Sequence, residues 1–109
     1  MSRQVARTPG AKRAGDGEYV FDLAAVNHIL GGPDYSTANG ACVEGDRMIV
    51  ALMRMPAGTG AEPHSHPNEQ WIYIPANVVH SGKAGADRDV VFFTVKDAAH
   101  GLHGFRAAG

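Results

Sequence analysis

The stretch that decides the reading of this chain is residues 62–81, EPHSHPNEQWIYIPANVVHS. His64 and His66 are spaced i, i+2, and in an extended strand that spacing points both imidazoles to one face. Pro67-Asn68 permits a turn or kink just beyond them. Gln70 shares the even parity of the two histidines, whereas Glu69 has the opposite parity. A short apolar run, residues 71–74, then leads into Pro75-Ala76-Asn77 and a third histidine, His80. Two histidines on one strand face, an amide oxygen beyond them and a histidine after a Pro-Asn turn form a donor set for one divalent ion. Imidazole suits Zn, Fe, Ni, Mn or Cu, and the oxygen ligand leans the choice toward the harder of these.

Outward from this stretch the chain reads as short strands and turns. Residues 47–55, RMIVALMRM, are apolar on both faces, as in a strand covered on both sides. Residues 89–96, DVVFFTVK, are β-branched and aromatic and read as a second buried strand. Residues 41–43 form a shorter strand turned by Glu44-Gly45-Asp46, and residues 56–60 and 81–87 are turns. Residues 18–30 suit a short strand and then a helical turn that Gly31-Gly32-Pro33 ends. Residues 1–17 place Arg3, Arg7, Lys12 and Arg13 among Ala, Gly, Thr and Pro without periodicity, which predicts a flexible N-terminal arm. His100 and His103 stand among glycines and read as a tail or subunit contact rather than a preset site. The expected organisation is an arm over 1–17 and a single all-β domain over 18–109.

The central stretch resembles the cupin family of small double-stranded β-helix (jelly-roll-like) barrels, whose first motif runs roughly G-x5-H-x-H-x3-[E/Q]. Gly58, His64, His66 and Gln70 match it in place, and Pro75, Asn77 and His80 match the second motif, P-x-[G/N]-x-x-H. With the flanking strands the resemblance covers most of residues 38–97. It implies a cupin-type barrel with His64, His66, Gln70 and His80 as ligands of one divalent metal ion (Zn, Fe, Ni or Mn). Gln as third ligand is similar to the pectin-degradation branch that opens unsaturated uronate rings. In ordinary cupins a hairpin separates the two motifs, whereas here only residues 71–74 lie between Gln70 and Pro75. The expected barrel is therefore shortened, and the return of His80 to the metal depends on how the chain is rejoined. A truncated or engineered barrel would read the same way.

Composition bounds the function. The 109 residues are 44% hydrophobic, enough for one modest core, and the net charge of −1 gives no general pull on nucleic acid or membrane. No apolar run is long enough to span a bilayer, and the basic N-terminus lacks the apolar core of a secretory signal. A single cysteine, Cys42, cannot form an internal disulfide, so a reducing, cytoplasmic setting is expected.

Four neutral ligands would leave the full double charge on the metal, which favours anionic or enolisable substrates. The expectation is a metal-dependent isomerase or lyase acting on a small anionic or carbonyl-containing metabolite. A metal-dependent dioxygenase uses the same ligands and stays open, as does a non-catalytic binding or dimerisation module. Candidate catalytic residues are Glu69 as base, Arg54 as a guanidinium clamp for a substrate carboxylate, and Tyr73 as proton donor or stacking surface. Simple alternation turns Glu69 away from the ligand face, snorkelling to water is the other reading of Arg54, and packing beside Trp71 that of Tyr73. Loss of a hairpin exposes sheet edges that seek strands, so a homodimer, simple or strand-swapped, is expected.

Overall fold

A computed structural model of the chain describes residues 6–15, 17–71 and 73–107. Every regular element among them is a strand: β1 (Lys12–Arg13), β2 (Ile29–Leu30), β3 (Asn39–Glu44), β4 (Met48–Met55), β5 (Gly60–Ser65), β6 (Gln70–Trp71), β7 (His80–Lys83), β8 (Val90–Asp97) and β9 (Phe105–Arg106). They form two sheets. The larger runs β1-β3-β4-β8-β6, with β2 also paired to β3, and the smaller runs β7-β5-β9. The fold is all-β, and its two sheets fit the β-sandwich class.

The two long strands set the larger sheet. β4 and β8 are antiparallel with Ile49 opposite Lys96, Ala51 opposite Thr94 and Met53 opposite Phe92. Successive side chains on a strand alternate faces, so odd positions of β4 and even positions of β8 share the inner face. Ile49, Ala51 and Met53 are buried there with Cys42, Ala98 and Leu102. The opposite face pairs Leu52 with Phe93 and Arg54 with Val91. Val91 and Phe93 are more than half exposed, so one face of this sheet is open where the apolar content of 47–55 predicts cover on both. Binary patterning cannot separate a face covered within the chain from one left bare.

The described residues of both terminal segments are fastened to the sheets, while residues 1–5 and 16 of the predicted arm lie outside the described residues. Within the predicted arm, β1 pairs parallel with β3. Thr8 is fully buried, its Oγ1 accepting from the Leu102 amide at 2.6 Å. The buried Glu44 carboxylate accepts from the backbone amides of Arg7 and Thr8. These bonds satisfy a buried acid that would otherwise be costly. At the other end β9 pairs with β5, and Leu102 joins the core. The 100–104 segment, expected as a tail, is thus a structural strap, with His103 Nε2 within 2.8 Å of the Leu30 carbonyl.

The segment before β2 departs from its predicted strand. Tyr19 and Val20 are almost wholly exposed. A single turn follows, where the Asp22 carboxylate accepts from the Ala24 amide and its carbonyl from the Ala25 and Val26 amides. Asn27 then substitutes for a strand neighbour. Its side chain donates to the Cys42 carbonyl and accepts from the Cys42 amide.

The connection between the two histidine motifs works by changing sheets. After β5 the chain enters β6, which pairs with β8 in the other sheet. Gln70 and Ile74 then exchange backbone hydrogen bonds at 3.0 and 2.7 Å, closing a tight reversal. Asn77 takes φ of 65°, a left-handed conformation that Asn tolerates better than most residues, and its amide donates to the His66 carbonyl at 2.7 Å. The chain is thereby delivered into β7 antiparallel to β5, with His80 directly opposite His64.

Contact between β5 and β7 depends on Gly60, where an added Cβ would lie 2.2 Å from the Gly82 carbonyl oxygen and 2.6 Å from Lys83 Cα. Gly60→Ala is expected to cost about 2 kcal/mol or more in urea unfolding, the range for overpacking against backbone. Gly85→Ala, with open space around the new methyl, should change stability by less than about 0.5 kcal/mol. Equal effects at the two positions would contradict this packing.

Candidate metal centre

Three histidines meet where β5 and β7 face each other. The His64 and His80 rings have centroids 4.3 Å apart, His66 and His80 4.9 Å, and His64 and His66 6.0 Å. One ring nitrogen from each lies within 4.8 Å of the others. His64 and His66 are buried, and His80 is half-buried. The i, i+2 spacing puts the first two on one face, as parity requires. The third arrives through the β7 register.

The backbone sets which nitrogen each ring presents. His64 Nδ1 is 2.7 Å from the Glu62 carbonyl, His66 Nδ1 3.0 Å from the Asn68 carbonyl and His80 Nδ1 2.9 Å from the Val78 carbonyl. A carbonyl only accepts, so in neutral His64 and His80 Nδ1 carries the proton and Nε2 keeps its lone pair, whereas His66 has an oxygen acceptor at each nitrogen, the Asn68 carbonyl and Gln70 Oε1. Metal-binding histidines are held in this way by partners on their other nitrogen. The Gln70 amide oxygen lies 2.8 Å from His66 Nε2 and accepts from it when Nε2 carries the proton; with the proton on Nδ1, ring nitrogen and amide oxygen both offer lone pairs to a cation. Lone pairs converging in this way match the needs of a cation, and the donor set fits a divalent metal.

Burial keeps His64 and His66 neutral. Burial, followed by the charges of His80 and Lys96, lowers the His64 pKa to about 4. Burial and then Lys96 do the same to His66, also to about 4, against smaller upward effects of its bonds to Asn68 and Gln70. Unlike rings with ordinary values, these two need not release protons to a ligand-binding equilibrium at neutral pH. Tyr35, buried, stacks on His64 with ring centroids 4.0 Å apart, and its hydroxyl oxygen accepts from the Gly104 amide. The strap before β9 therefore bears on the orientation of His64.

The centre opens into a cavity of ≈ 270 Å³ between the two sheets. His64, Gln70 and His80 line it, together with Lys96 and the side chains of Met53, Met55 and Phe92. Lys96 is buried, donates to the Leu102 carbonyl at 2.8 Å, and is pushed down to about 8 by burial.

The three residues predicted to be catalytic are not brought to this cavity. Arg54 stands on the open face of β4 and pairs with Asp89 at 3.1 Å. Even parity on a strand whose inner side carries the odd-numbered Met53 and Met55 leaves it no route inward. Glu69 is exposed, and its carboxylate accepts from the Trp71 indole at 2.6 Å, so alternation turns it outward. Tyr73 is exposed and packs on Trp71 at 5.0 Å between ring centroids. Ile72 lies outside the described residues. Sequence reasoning overlooked Lys96 and Tyr35. Lys96 shares even parity with Phe92 and Thr94, the one signal in its own strand that it points inward. Tyr35 has no such signal, because it lies in a loop.

No protein-family model, no curated protein and no solved structure matches this chain.

Two outcomes follow from the geometry. Purified protein reconstituted with Zn²⁺ or Ni²⁺ should hold one equivalent by inductively coupled plasma mass spectrometry. His64→Ala and His80→Ala should each weaken retention by more than the roughly 10–100-fold that loss of a supporting partner costs, while Arg54→Ala leaves it unchanged. Retention in His80→Ala alone would place the ligand set elsewhere. For pH, the folded chain resists protonation of His64 and His66 down to about 4, whereas the unfolded chain takes up those protons below about 6.5. Stability of the metal-free protein is then full above pH 6.5 and falls between 6.5 and about 4. Chemical denaturation across that range should show the loss, and His64→Gln should flatten it.

Proposed function

We propose that this chain is a shortened cupin-type barrel and a metal-dependent enzyme acting on a small anionic or carbonyl-containing metabolite by isomerisation, ring opening or elimination. The observation that carries the reading is that three imidazoles converge, each with Nδ1 against a backbone carbonyl, so that Nε2 of each is the nitrogen free of the backbone to bind one ion. His64, His66 and His80 would hold it, with the Gln70 amide oxygen as a fourth donor. A bound divalent ion supplies Lewis acidity, polarising a substrate carbonyl or carboxylate and stabilising developing negative charge.

The chain's own residues do the rest. Neutral ligands leave the ion's charge uncancelled, so the cavity favours an anion. Carbonyls of Glu62, Asn68 and Val78 hold the ring tautomers, and Tyr35 stacks to fix the plane of His64. Apolar walls keep bulk water from the reacting atoms, which strengthens every charge interaction inside. Proton transfer falls to groups that line the cavity, because Glu69 and Tyr73 lie outside it.

The reading is tested by proton exchange. Metal-loaded protein in D₂O is incubated with a panel of 2-oxo and 3-oxo carboxylates and followed by NMR. Wild type should wash out carbon-bound protons next to the carbonyl, and His64→Ala should not. Failure to take up metal, or exchange indifferent to His64→Ala, overturns the proposal.

A further inference from the structure

The cavity carries one full positive charge of its own and no negative one. Lys96 is buried to 6% exposure, and no acidic side chain is among the described residues that line the space. No described carboxylate forms an ion pair with Lys96; the four described pairs involve Lys12, Arg13, Arg54 and Arg106. Its one hydrogen bond goes to the Leu102 carbonyl. An ammonium has three donors, so two are left over in a place where an unpaired cation is costly. Buried charges without a partner in the protein are the groups that ligands complete.

The position of this cation matters. Lys96 stands directly across from Gln70 in the β6–β8 ladder, and the Gln70 amide oxygen is 2.8 Å from His66 Nε2. The ammonium and the histidine cluster therefore border one cavity, a single strand apart. Most of the remaining wall is hydrocarbon or thioether, including Met53, Met55, Ile74, Val90, Phe92 and Leu102; of its hydroxyls, those of Tyr35, Ser36 and Thr94 are already bonded to backbone, and Ser81 is the other. A sugar acid placed here would bring more hydroxyls than this wall has partners for, at a cost for each left unpaired. A carboxylate on an apolar body meets no such penalty.

Resting on the metal-centre reading given under Proposed function, we propose that Lys96 anchors the carboxylate of the substrate, and that the substrate is a small monocarboxylic acid with an apolar or aromatic body. The volume sets its size. At ≈ 270 Å³ the cavity falls just below the roughly 300–1,000 Å³ of pockets that take drug-sized ligands, so the substrate is small. Lys96 takes the role that the sequence alone suggested for Arg54, from the inner face of the neighbouring strand. A merely structural Lys96, tying down the strap at Leu102, would show no preference between a carboxylate and its neutral isostere.

The experiment compares 3-phenylpropanoate, 3-phenylpropanamide and glucuronate by isothermal titration, on protein stripped with EDTA and on protein reloaded with Zn²⁺. Wild type is expected to bind the phenylpropanoate about tenfold or more tightly than the amide in both forms, as a buried charge-assisted hydrogen bond predicts. Glucuronate should be the weakest of the acids. Lys96→Met, which removes a buried charge and keeps an unbranched apolar stem, should abolish the preference in stripped protein and still take up one equivalent of zinc when reloaded. Lys96→Arg should keep the preference. If Lys96→Met does not fold, Lys96→Gln replaces it, removing the charge and keeping a donor for Leu102.

No preference in stripped wild type, a preference in stripped protein that survives loss of the Lys96 charge, or tighter binding of glucuronate than of phenylpropanoate overturns the inference. Failure of zinc uptake by wild type, with the Lys96-dependent preference intact in stripped protein, overturns the metal reading alone.

Discussion

The register between β5 and β7 is the constraint on which the rest of the structure depends. It places His64 opposite His80, and no other ladder contact brings residues from the two histidine motifs together. Its geometry follows from two local facts. Gly60 lets the strands approach without a side chain in the way, and Asn77 accepts a left-handed backbone that ties the returning chain to His66. The connection is short, yet it lends β6 to the other sheet before turning back at Gln70–Ile74 into β7.

Around this ladder the protein concentrates neutral donors and one unpaired cation in a low-dielectric space. Burial favours uncharged imidazole, and the nearby ammonium reinforces the effect. The same burial disfavours the charged form of Lys96, so stability and site chemistry oppose each other at that residue. Proteins hold such conflicts at sites that are completed by something else. The strap formed by residues 100–106 closes the arrangement. It supplies the Leu102 carbonyl to Lys96, the Gly104 amide to Tyr35, and a strand to β5.

Much of the site was legible before any coordinates. Strand parity alone put His64 and His66 on one face, placed Gln70 with them, and turned Glu69 outward. The Pro-Asn turn before His80 marked a return of the chain. The reading of Arg54 as catalytic was undone by the same alternation once the inward face was known, because it lies on the outward parity of β4, and that of Tyr73 because it sits exposed in the turn after β6, against Trp71. The arm over 1–17 and the tail after Asp97 looked unattached, since Thr8, Lys12, Arg13 and Phe105 carry no periodic signal. Their attachments are single long-range bonds and two-residue ladders, which local pattern does not encode.

The sequence by itself determined the strand character of the chain, the pairing of two histidines on a face, and the donor chemistry that suits a divalent ion. These rest on covalent geometry and side-chain type, which act over a few residues. Only the tertiary structure decided that His80 joins them, that Lys96 rather than Arg54 enters the cavity, and that one sheet face stays open. Those outcomes turn on register and on which face meets the second sheet. Both are set by contacts between residues far apart in sequence, where a shift of one residue would exchange every inward side chain for an outward one.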